Sequence, residues 1–246
     1  MEKADHIVKF VILGDLAVGK TTFAKRICDP SFNPNSSCLP TCCAEFQQIR
    51  LDIPDGSTAD VQLWDLEGKC EKTATTNMCM RGAHGVILMY DITQPDSFLS
   101  LSRWMQLVNH YTDEKFLGPK FMLAIVANKT DVFDFLKNKH VQVEDGCAVC
   151  DKYELPYVSL SASTSSLEQL TAHLLGWTVQ AVEHSIAESE TRKSREGAAV
   201  PLDGRSLLDE SFTALDTDST GCFFSCLKRY VDWQLANDSD EHGCFG

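Results

Sequence analysis

Six short runs dominated by Val, Ile, Leu and aromatic residues punctuate the chain, at Ile7–Leu13, Ala44–Leu51, Ala59–Trp64, Val86–Tyr90, Phe121–Ala127 and Tyr157–Leu160. Each has the length and composition of a strand. Between them, apolar positions recur at helical spacing in Thr21–Cys28, Asp96–Tyr111, Val143–Lys152 and Leu167–His184. Alternation of this kind predicts a three-layer α/β fold, with a mostly parallel sheet covered on both faces and ligands at the carboxyl ends of its strands. Only the turn-like Asp52-Ile53-Pro54-Asp55-Gly56-Ser57-Thr58 separates the second and third runs. That is too short for a crossover, so this pair is expected to be antiparallel. The reading is therefore a six-stranded sheet with one antiparallel strand, in a domain spanning residues 5–183.

Beyond residue 183 the rhythm stops. Residues 186–246 carry 6 Lys and Arg against 12 Asp and Glu, which predicts an acidic, largely disordered tail over 184–246. One apolar, cysteine-containing island, at 222–235, interrupts it. The whole chain of 246 residues has a formal net charge of −13, so no basic surplus is left to neutralise a phosphate backbone and nucleic-acid binding is disfavoured. The apolar runs fall far short of the roughly 20 residues that span a bilayer. The amino terminus has no apolar signal core, and Glu2 stands where myristoylation needs glycine, so a cytoplasmic chain is expected. Eleven cysteines, an odd number in a chain too long for a disulfide scaffold, read mostly as reduced thiols.

The chemistry gathers where predicted strands end. Gly14-Asp15-Leu16-Ala17-Val18-Gly19-Lys20-Thr21 is G-x-x-x-x-G-K-[ST], placed between a strand and a helix as a phosphate-binding P-loop must be. Gly14 and Gly19 let the backbone close on phosphates, with Asp15, Ala17, Val18 and Thr22 completing the cradle. Lys20 supplies a point charge to the β- and γ-phosphates, and the Thr21 hydroxyl a ligand for Mg2+. Asp65-Leu66-Glu67-Gly68 follows the third run, so Asp65 is placed to hold Mg2+ or its waters and Gly68 to bring an N–H to a γ-phosphate. Asn128-Lys129-Thr130-Asp131 follows the fifth run. One carboxylate there, Asp131, can accept both N1–H and the 2-amino group of guanine, which adenine does not offer. Ser161-Ala162-Ser163, after the sixth run, can present a backbone N–H to the base carbonyl.

These motifs in this order resemble the Ras superfamily of small GTPases. Arg81-Gly82-Ala83-His84-Gly85-Val86-Ile87-Leu88-Met89-Tyr90-Asp91-Ile92-Thr93, with Ser97-Phe98 and Trp104, is similar to the Rab branch. The resemblance covers about residues 6–182. It implies GTP and GDP binding with Mg2+, and effectors engaged through two switches at 31–46 and 65–81. It also implies an exchange factor, an activating protein and peripheral attachment to an endomembrane in vesicle and protein transport. Phe32 would stack beside the base, and Thr41 would be the switch I threonine for Mg2+ and the γ-phosphate, with Ser37 as its substitute.

The departures concern catalysis. Lys69 stands where the family has a water-orienting glutamine, and an ammonium can only donate. Leu16 replaces a small P-loop residue where an arginine finger would enter. Lys20, Thr41, Gly68 and Lys69 thus form an atypical catalytic set, expected to hydrolyse GTP slowly; the alternative is a GTP-locked scaffold. Cys147 and Cys150 read as helix packing ahead of metal binding, while Cys42-Cys43 beside Thr41 forms an oxidisable pair. The carboxyl end, Gly243-Cys244-Phe245-Gly246, is neither a C-a-a-X box nor a terminal cysteine pair, and the island at 222–235 reads as a membrane contact, a partner-docking segment or simply disordered chain.

Overall fold

A computed structural model describes residues 3–34, 39–69, 72–111, 121–135, 141–152 and 155–197. Its six strands, β1 (His6–Leu13), β2 (Ala44–Asp52), β3 (Thr58–Leu66), β4 (Gly85–Asp91), β5 (Met122–Asn128) and β6 (Tyr157–Ser159), form one sheet in the order β2-β3-β1-β4-β5-β6. Only β2 runs antiparallel, pairing Phe46 with Trp64 and Ile49 with Val61 on β3. The expected topology is the observed one. Every residue of β4 and β5 is buried, because central parallel strands are covered on both faces. The edge strand β2 instead buries only Leu51, its other residues being half-buried or exposed, and an ion pair between Arg50 and Asp60 at 2.7 Å lies on its solvent side.

Alternation along β1 splits the core. Val8, Phe10 and Ile12 face α1 (Lys20–Cys28) and α6 (Leu167–Gly197), meeting Phe23, Ile27, Leu174 and Trp177. Val11 and Leu13 face the other way, toward α2 (Ala74–Met80), α3 (Pro95–Leu99), α4 (Leu101–His110) and α5 (Val143–Lys152). Met80, Phe98, Trp104 and Val108 fill that side. The loops that follow β1, β3, β5 and β6 are thereby left together at the carboxyl end of the parallel strands.

Four elements differ from the sequence reading. The helix expected over Asp96–Tyr111 is two helices, because the Ser100 carbonyl accepts from both Arg103 N–H (2.9 Å) and Trp104 N–H (3.1 Å) and tightens one turn. Helix α2 lies within the expected switch at 65–81, where no helix was read, with the Thr73 hydroxyl accepting the Thr76 N–H at 3.1 Å. A 3-10 helix covers Thr130–Phe135. Finally α6 does not stop at His184 but runs to Gly197. Its start is fixed by a reciprocal cap between Ser166 and Gln169, and residues 185–196 hold no proline and many good helix formers. Residues 184–197 of the expected tail are thus helical, and the rest of it, 198–246 with the island at 222–235, lies outside the described residues.

Two measurements check these contacts. Leu174 is fully buried and Ile186 is 45% exposed, so Leu174→Ala should cost about 2–5 kcal/mol in urea unfolding and Ile186→Ala within about 0.5 kcal/mol of nothing. His84, half-buried, accepts the Lys9 N–H on Nδ1 at 3.0 Å, and burial followed by the Lys9 charge lowers its pKa from 6.5. The neutral ring is the folded form, so its contribution is complete above about pH 6.5 and is lost as pH falls toward the depressed value. His84→Asn should remove that part of the acid-side loss, leaving the part due to His173, whose pKa burial also lowers.

Candidate nucleotide site

The loop between β1 and α1 is built on two glycines that nothing else replaces. Gly14 has φ 147° and Gly19 φ 102°, and a Cβ at either would lie 2.1 Å from Met89 O or Asn128 Nδ2. Ala17, at φ 64°, carries the smallest side chain that can sit in that left-handed region. The first turn of α1 has neither an acidic residue nor a side-chain cap, so its N–H groups and positive dipole end face the loop. Lys20 is 6% exposed, and its Nζ donates to Gly14 O at 2.7 Å and Asp15 O at 2.8 Å. Burial lowers its pKa, against the opposing pull of Asp65 and Asp15. Asp15 in turn accepts from Trp104 Nε1 at 2.7 Å, a tether from α4 that its spacing did not reveal.

Above this loop lies a cleft of about 310 Å³, lined by Lys20, Thr21, Thr41, Gly68, Leu16 and Leu39 among others. One corner is an oxygen cluster. Thr21 Oγ1 lies 2.5 Å from Asp65 Oδ2 and 2.9 Å from Thr41 Oγ1, and Thr41 Oγ1 donates to Asp65 Oδ2 at 3.0 Å. Asp65 is 1% exposed, and its Oδ1 finds no hydrogen-bond partner among the described residues. Burial raises its pKa, while Thr21, Lys20 and Thr41 hold it down. A carboxylate with one unsatisfied oxygen beside two hydroxyls is a donor set that fits a hard divalent cation.

At the base end Asn128 ties three loops together, its Nδ2 donating to Val18 O at 2.7 Å and its Oδ1 accepting Ala162 N–H at 2.8 Å. Lys129, at φ 69°, pairs with the fully buried Asp91 at 2.6 Å. Asp131 is exposed in the first turn of the 3-10 helix. The N–H groups of Ser161, Ala162 and Ser163 are engaged, by Ser165 Oγ, Asn128 Oδ1 and Ser161 Oγ respectively. Arg26 on α1 holds the carbonyls of Ala162 and Ser163 at 3.1 and 2.8 Å. Phe32 is half-buried, and its N–H donates to Asp29 O. Arg26, Asp91 and Trp104 position the site although none was read as a site residue; Asp91 and Trp104 entered the sequence reading only through the Rab-like segment, and Arg26 not at all.

A family model for the Ras family matches residues 9–175. The chain belongs to the Ras family. It is a divergent, Rab-like member. It is 31% identical to the Ras-related protein Rab-27B of Homo sapiens over 76% of its own length and 86% of that protein. It is 30% identical to the Ras-related protein RABD1 of Arabidopsis thaliana, over 70% and 79%, and 34% identical to RABA5b of the same plant, over 64% and 68%. Ras-family GTPases generally bind guanine nucleotide with Mg2+ and hydrolyse GTP.

Against that family background two side chains stand out. Lys69 pairs with Glu67 at 3.0 Å and is 68% exposed. It lines a neighbouring hollow with Thr73 and Cys43, whereas Leu66 and Gly68 are the switch II residues that line the cleft. Leu16 stands 57% exposed on the lip of that cleft. Ser37 and Cys70 lie outside the described residues. A Cβ on Gly68 would fall 2.3 Å from Leu16 N and 2.5 Å from its Cα, backbone that cannot yield as a flexible side chain would. Gly68→Ala should therefore lift switch II off the P-loop and speed tryptic cleavage after Lys69 several-fold, with the urea midpoint little changed. Cleavage at the wild-type rate would contradict this.

Proposed function

We propose that this chain is a Rab-like switch that binds GTP and GDP with Mg2+, hydrolyses GTP slowly, and acts in vesicle and protein transport. The observation that carries this reading is the convergence of Thr21, Thr41 and Asp65 on one carboxylate oxygen beside Lys20. Gly14, Asp15, Ala17, Val18, Gly19, Lys20, Thr21 and Thr22 cradle the phosphates, Lys20 exchanging its P-loop carbonyls for phosphate oxygens. Asn128, Lys129 and Asp131, with Phe32 and the Ser161-Ala162-Ser163 turn, hold guanine. A base carbonyl there shares an N–H that the turn otherwise satisfies internally. Thr21, Thr41 and Asp65 hold Mg2+, which when bound offsets negative charge on the β- and γ-phosphates. Thr41 and Gly68 report the γ-phosphate to switches 31–46 and 65–81, where effectors, an exchange factor and an activating protein would bind.

Hydrolysis needs a group that accepts a hydrogen bond from the attacking water. Lys69 cannot accept, and its ammonium is directed to Glu67. Leu16 stands where an inserted arginine would pass, and such a residue contributes on the order of 10³–10⁵ in rate where it operates. Those two features also support the second reading, a GTP-locked scaffold that works by binding effectors alone. Peripheral membrane contact would come from the island at 222–235, outside the described residues. No helix among the described residues is long and apolar enough to cross a membrane.

Single-turnover hydrolysis of loaded GTP tests the catalytic part. Lys69→Gln should raise the rate about tenfold or more, and Leu16→Gly should restore response to an activating protein that supplies an arginine. A wild-type rate equal to that of Lys69→Gln would contradict the assignment of Lys69.

A further inference from the structure

The segment joining Thr41 to β2 carries chemistry that nucleotide binding does not use. Cys42 and Cys43 are both exposed, whereas the other described cysteines, Cys28, Cys79, Cys147 and Cys150, are buried or half-buried. Burial pushes the Cys28 thiol up to about 11 and raises that of Cys79 as well, which leaves them poor nucleophiles. Cys43 holds φ 73°, a strained conformation for a residue with a side chain. Its carbonyl accepts the Glu67 N–H at 3.0 Å. The pair thus sits between the buried Thr41 hydroxyl on one side and the start of switch II on the other.

We propose that Cys42-Cys43 is a thiol-modification site, taking a low-molecular-weight disulfide such as glutathione disulfide, through which thiol oxidation loosens the GTP-bound state. The inference rests on the nucleotide reading above. The step is an exchange: one cysteine loses its proton and its sulfur attacks a sulfur of the disulfide. The S–S bond breaks, and the departing glutathione leaves as a thiolate that takes up a proton. The cysteine is oxidised to the mixed disulfide and one glutathione is reduced, so no further oxidant is needed.

Two geometric facts give the adduct its effect and its lifetime. The hollow lined by Cys43, Glu67 and Lys69, of about 110 Å³, opens to solvent beside the exposed Cys43, whose carbonyl holds the Glu67 N–H. A glutathionyl group on Cys43 brings bulk and a second carboxylate-bearing chain beside Glu67, and so competes with the hydrogen bond between the Cys43 carbonyl and the Glu67 N–H. Adjacent Cα atoms lie about 3.8 Å apart across a trans peptide, inside the roughly 4.4 Å minimum usual for a disulfide. Closure of a Cys42–Cys43 ring is thus disfavoured, and the mixed disulfide persists until an external thiol removes it. Because Thr41 meets the γ-phosphate, release of GTP responds and release of GDP does not.

The test uses the full chain loaded separately with fluorescent GTP and GDP in Mg2+, then treated with glutathione disulfide. Peptide mapping should place the adduct at Cys42 or Cys43. GTP release should accelerate roughly tenfold, the scale of one lost hydrogen bond of about 1.4 kcal/mol, with GDP release within a factor of about two. Dithiothreitol should reverse the effect on the same sample. Cys42→Ser/Cys43→Ser should release GTP at the untreated rate before and after treatment; wild-type reversal by dithiothreitol stands as evidence independent of that variant. A mapped adduct without faster GTP release, no adduct at either residue, or a response kept by the double variant would overturn the proposal alone. A chain that takes up no guanine nucleotide before treatment would overturn the nucleotide reading and this inference with it.

Discussion

A single buried oxygen, Asp65 Oδ2, lies within hydrogen-bond distance of two threonine hydroxyls, Thr21 from the start of α1 and Thr41 from the segment before β2. Asp65 ends on that oxygen because β3 lies beside β1 in the sheet, with Asp65 opposite Ile12. A carboxylate this deeply buried is costly unless it is paired, and here it is held by two hydroxyls and the nearby Lys20 charge, with its second oxygen left over. The P-loop, switch I and β3 are thereby brought to one point. Changes in any of the three are felt by the other two.

The rest of the site extends this arrangement along the sheet edge. Asn128, at the end of β5, fixes the P-loop through Val18 and the base loop through Ala162. Asp91, at the end of β4, anchors Lys129 from beneath. Asn128 and Asp91 are both buried, and their contacts are short, at 2.6 to 2.8 Å. The segments beside Thr41 are held differently: Cys43 and Glu67 share one backbone hydrogen bond, and Glu67 and Lys69 a solvent-facing ion pair. An exposed pair of this kind contributes on the order of 0–1 kcal/mol, little enough for a ligand to rearrange.

Much of this was legible in the sequence because strand alternation and the P-loop spacing are local patterns. The six strands, the antiparallel pair and the gathering of motifs at strand ends follow from runs of Val, Ile and Leu and from short connections. The misses have physical causes. Helix α2 is seven residues long and rich in Thr, so propensity gives no signal and the Thr73 cap decides. The break at Ser100 lies in a shared carbonyl, which no composition reveals. Arg26, Asp91 and Trp104 act across 136, 38 and 89 residues of sequence, distances at which single-sequence patterns carry no information. The pairing of Lys69 with Glu67 was not legible, because it depends on how the backbone leaves Gly68.

The most direct measurement is to purify the full chain in Mg2+, denature it, and identify the released nucleotide by chromatography. The account predicts guanine nucleotide in near-stoichiometric amount, and its loss when Thr21→Ala removes one hydroxyl from the Asp65 cluster. Adenine nucleotide, or a chain that carries none and takes up none on incubation, would contradict it.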